Sequence, residues 1–75
     1  MPDRVPAAEV CEAALEQARS DAPEHRAVTI LRDCAGNNRD LIERALDECR
    51  DRFEDTRDPY MRRAVELLRA AVLAG

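Results

Sequence analysis

Asn38-Arg39-Asp40-Leu41-Ile42-Glu43-Arg44-Ala45-Leu46-Asp47-Glu48-Cys49-Arg50-Asp51-Arg52-Phe53-Glu54 is the stretch that decides the fold. With residues set about 100° apart, Leu41, Ile42, Ala45, Leu46, Cys49 and Phe53 gather on one face, and charges occupy the other. Asp40 with Arg44, Glu48 with Arg52 and Arg50 with Glu54 stand four apart, a spacing worth about 0.2–0.5 kcal/mol per pair in an isolated helix. The segment therefore reads as an amphipathic helix over 38–54, with Asn37 or Asn38 as its N-cap.

Working outward, the same period recurs on both sides. Upstream, Ala27, Val28, Leu31, Cys34 and Ala35 form a stripe over 23–35 that starts at Pro23 and stops at Gly36, which is suited to a left-handed helix end. Before it, Ala7, Cys11, Ala14, Leu15 and Ala18 form a stripe over 6–20, with Pro6 in its first turn. Downstream, Asp58-Pro59 pairs an N-cap with a first-turn proline and opens a stripe of Met61, Ala64, Val65, Leu68 and Val72 over 59–73. Nothing alternates with period two over a useful length, so strands are not expected. Short joints between four stripes predict an all-α single domain over 1–75, a small bundle of about four short antiparallel amphipathic helices.

The chain has 75 residues, 12 basic and 16 acidic, for a net charge of −4. A chain this short buries roughly 60% of the surface its unfolded form exposes, so a stabilising device beyond the core is expected; oligomerisation is the candidate the sequence offers. The acidic balance argues against a general binder of nucleic acid or anionic membranes. Every basic residue is arginine. With abundant alanine, this points to a GC-rich coding genome, read here as bacterial.

Cys11, Cys34 and Cys49 form no Cys-x-x-Cys pair and leave one over if two bridge. Each lies in an apolar stripe and reads as a buried, unbridged core thiol in a reducing cytosol. The opening Met1-Pro2-Asp3-Arg4 reads as neither signal peptide nor membrane span, which gives a cytoplasmic expectation. His25 points away from the Ala27/Leu31 face and reads as an exposed surface residue; Asp21 is the available orienting carboxylate, but no activated Ser, Thr or Cys is placed beside it for acid–base catalysis. No catalytic residue, metal site or cofactor is expected.

The fourth stripe carries Tyr60, Leu67 and Leu73 beyond its core face, and a helix so broadly apolar is either central or covered by another chain. With Arg63 beside the aromatic, these residues are the candidate interface. Glu9, Glu12 and Glu16 line one side of the first helix and complement Arg57, Arg62, Arg63 and Arg69, so they are expected to fix orientation against a charged partner or to balance the fourth helix within the monomer. The function that follows is a non-enzymatic protein–protein interaction module: a homo-oligomer, or a small adaptor or regulatory subunit. Two competing readings are a DNA-binding regulator that uses the Gly36 corner as a helix-turn-helix, opposed by Asp40 and Glu43 on the reading helix, and a small acidic inhibitor of a nucleic-acid enzyme.

Overall fold

A computed structural model of the chain describes residues 7–74. Four helices follow in order: α1 (Ala7–Arg19), α2 (Glu24–Cys34), α3 (Arg39–Thr56) and α4 (Pro59–Ala74). The all-α bundle expected from the stripes is present. Pro6, expected in the first turn of α1, and Gly75 lie outside the described residues.

The helix ends explain why the corners are short. After α1, Asp21 takes a left-handed backbone (φ 57°), its N–H donates to the Ala18 carbonyl, and the Ala22 N–H donates to the Gln17 carbonyl at 3.2 Å. These two bonds satisfy carbonyls that the helix leaves open. The end of α2 repeats the pattern: Gly36 (φ 62°) donates to Asp33 and Asn37 donates to Arg32 at 2.8 Å. Asn37 is left-handed as well, and Asn38 caps α3 by accepting the Leu41 N–H on Oδ1 at 3.2 Å. Arg57 stops α3 in the same conformation without a glycine, its N–H on the Phe53 carbonyl at 2.7 Å. Asp58 then accepts the Tyr60 N–H on Oδ1 at 2.9 Å, and Pro59 begins α4, as the Asp-Pro pair predicts. Pro23 differs from expectation by one position: it is the N-cap of α2, and its carbonyl accepts the Ala27 N–H.

Packing is organised around α4, which touches all three other helices. α1 also packs against α3, whereas α2 and α3 scarcely meet, so the Gly36 joint is a sharp corner and α2 lies mainly against α4. The radius of gyration, 11.1 Å, is what a closely packed chain of this length gives. One core cluster runs through the molecule, and alanine supplies seven of its sixteen buried residues: Ala14, Ala18, Ala27, Ala35, Ala45, Ala64 and Ala71. Small side chains let the helices approach closely, but each buries little apolar area.

The expectation of three unbridged core thiols is corrected. Cys11 of α1 and Cys49 of α3 form a disulfide, with Cα atoms 5.8 Å apart, and only Cys34 is free. Among the described residues, no helix is long and apolar enough to cross a membrane.

Candidate interaction surface

The residues that the sequence groups on α4 do not share a face. Leu67 is fully buried, at 0% exposure, and is a core residue rather than an interface residue. Its position on the helix explains the correction. Counting about 100° per residue, Leu67 lies about 20° from Tyr60 and about 60° from Ala64, inside the arc that α1, α2 and α3 cover. Tyr60 points the same way but sits in the first turn of the helix and remains 50% exposed. Leu73 is 77% exposed among the polar positions of α4. The two exposed residues are about 20 Å apart along the axis and about 140° apart around it. The breadth of apolar sequence on α4 thus reflects a central helix.

The charged residues also pair differently from expectation. Arg63 Nη1 is 3.4 Å from Glu66 Oε1, and Arg62 Nε is 3.9 Å from Glu66 Oε2, so both reach along α4 and not across to α1. The pair that does cross between helices joins Glu12 Oε2 to Arg52 Nη1 of α3 at 2.8 Å, with Glu48 3.3 Å from Nη2 of the same guanidinium. Among the described residues, Glu9 and Glu16 form no ion pair; with Glu12, Ala13, Leu15 and Arg19 they line a shallow open depression on α1. Of the expected pairs within α3, Glu48–Arg52 forms, and Arg39–Glu43 at 3.4 Å is an addition.

A second depression lies where the end of α3 meets the start of α4. It encloses about 400 Å³, its apolar lining is the half-buried Phe53 and Val65, and Arg50, Arg57 and Arg62 stand around it with Glu54 and Glu66. The Arg57 guanidinium is 5.9 Å from the centroid of the Phe53 ring, within cation–π range. Arg57 owes this position to its left-handed backbone at the end of α3, and Tyr60 follows three residues later at the same end of the bundle. Sequence reasoning placed Phe53 and Val65 in the core and missed the depression, because it arises from how far two helix ends stand apart. The arginines spaced around Phe53 were the available signal.

His25 is exposed, as expected, and among the described residues its ring joins no hydrogen bond or ion pair. No group of three His, Cys, Asp or Glu side chains is placed to hold a metal ion among those residues. The surface therefore offers an open groove with an apolar floor and guanidinium and carboxylate groups around it, and Tyr60, about 140° from Val65 around α4, stands apart from it. Comparison of the chain with protein-family models, with curated proteins and with solved structures finds no match.

Proposed function

We propose that the protein is a non-enzymatic association module that acts as a small adaptor or regulatory subunit, using the α3–α4 end of the bundle as its contact surface. The observation that carries this reading is the groove floored by Phe53 and Val65 and edged by Arg50, Arg57 and Arg62. Aromatic and arginine side chains around a partly desolvated apolar floor are the composition in which binding energy concentrates.

The surface fits a different protein better than a second copy of this chain. Obligate self-interfaces are large and markedly apolar, typically above 2,000 Å² in total. Tyr60 and Leu73 are the only large apolar residues classed as exposed among the described residues, and they lie on different sides of α4. A contact of modest area, centred on the Phe53/Val65 groove, suits a reversible partner.

The test compares tagged full-length chains as bait: wild type, Tyr60→Ala, Val65→Glu and Leu73→Glu, each first checked for helix content by circular dichroism. The reading expects partners retained by wild type, Tyr60→Ala and Leu73→Glu to be lost with Val65→Glu. Equal retention by all four folded baits refutes the surface. Light scattering of the wild type should give the monomer mass over a wide concentration range.

A further inference from the structure

We infer that the Cys11–Cys49 disulfide is the staple on which the stability of this fold depends, so that the folded protein belongs to an oxidising environment and is strongly destabilised by a dithiol. Three observations converge on this. The first is position: both cysteines are at 0% exposure and belong to the core cluster, joining α1 to α3 with a Cα separation inside the range a disulfide spans. The second is loop length. The bridge closes a loop of 38 residues, half the chain, and so removes many conformations from the unfolded ensemble.

The third is the composition of the core that the bridge crosses. That core is nearly half alanine, and among the described residues the one ion pair from α1 to another helix, Glu12–Arg52, lies at the surface. Small domains that cannot build a sufficient core recurrently use disulfides, and these persist where thiols are not kept reduced. The reducing cytosol expected from the cysteine spacing would oppose this bond.

The chemistry balances with one external reagent in each direction. Formation takes the two thiols and a low-molecular-weight disulfide to the bridge and two released thiols, a two-electron oxidation of the cysteines. Opening takes a dithiol, which becomes a cyclic disulfide and leaves its two protons on the sulfurs of Cys11 and Cys49. A thiolate must reach a bridge sulfur to start the exchange, and here both are enclosed. Opening is therefore gated by separation of α1 from α3, and the folded state protects its own staple.

The experiment uses the full chain purified without reductant. Alkylation in strong denaturant, read by mass, should label one cysteine, Cys34, and all three after reduction; labelling of all three without reduction overturns the inference. Urea unfolding followed by circular dichroism then compares oxidised chain with chain held in dithiothreitol. Reduction should lower the folded-to-unfolded ratio roughly a thousandfold, the factor expected for a loop of this length. A change under about tenfold overturns the dependence. Cys34→Ala should keep the full redox response and Cys11→Ala/Cys49→Ala should abolish it; the reverse pattern places the bridge elsewhere. Finally, dithiothreitol should open the bridge much more slowly in the native chain than in denaturant, and equal rates overturn the gating.

Discussion

Replacing Leu67 with alanine separates a core role from an interface role in one measurement. The side chain is fully buried on the helix that touches every other helix, so its removal leaves a hole that no single neighbour is placed to fill. Losing three buried carbons forfeits about 2.4 kcal/mol of transfer free energy at about 0.8 kcal/mol each. The residual cavity adds to this, for a total of about 3–4 kcal/mol. A chain of this length has about 4–11 kcal/mol to lose, so the variant should sit near the limit of folding. The assay is urea and thermal unfolding by circular dichroism without reductant, which keeps the Cys11–Cys49 bridge intact. The melting temperature should fall by roughly 12–30 °C, at about 4–8 °C per kcal/mol for a domain this small. Leu73→Ala is the internal control: at 77% exposure it should change stability by no more than about 0.5 kcal/mol. A loss below about 1 kcal/mol for Leu67→Ala, or equal losses for the two variants, would refute the assignment of Leu67 to the core.

Three further outcomes follow from the corners and the surface. Asn38→Ala removes the side-chain acceptor for the Leu41 N–H and should cost about 1 kcal/mol in urea unfolding, with Asn38→Asp or Asn38→Ser restoring most of it. Gly36→Ala meets nothing within 4 Å, so its cost is the left-handed backbone at φ +62° alone, about 1–2 kcal/mol, and Gly36→Asn should cost less; the ranking is read from unfolding midpoints. Arg52→Ala breaks the contacts to both Glu12 and Glu48 at partly exposed positions, so it should cost no more than about 1 kcal/mol, and the difference from wild type should shrink in 1 M salt.

How much of this was legible depends on which residues are considered. The helices were readable because their signals are local: a stripe such as Leu41 to Phe53 needs only the period of the helix, and Asp58-Pro59 or Gly36 needs only the rules of helix ends. α3 runs on to Thr56 rather than stopping at Glu54, since Arg57 provides the left-handed stop that sequence reading assigns to glycine or asparagine. Val10 and Ala71 are buried although neither was assigned to a core face, because α1 and α4 each meet three neighbours and bury a wider arc than a single stripe predicts. The same geometry explains why Leu67 reads as surplus on a helical wheel and is core in space. The bridge was not readable, since three cysteines on three apolar stripes allow any of three pairings, and only the contact of α1 with α3 selects one. The groove at Phe53 and Val65 depends on helix separation, which no local pattern encodes.

Pro59 has a consequence for how many chains share one fold. Exchange of segments between copies would be simplest if two consecutive helices ran together into one long rod, releasing the second to complete a neighbouring molecule. Between α3 and α4 that rod is blocked: Pro59 would stand in its interior without an N–H to donate to Asp55, its ring against that carbonyl. Pro23 blocks the fusion of α1 with α2 in the same way. The joint from Ala35 to Asn38 has no proline, and four residues adopting helical dihedrals there would merge α2 with α3. If copies of this chain ever trade parts, that corner is the hinge, and a proline placed at Asn38 would close it.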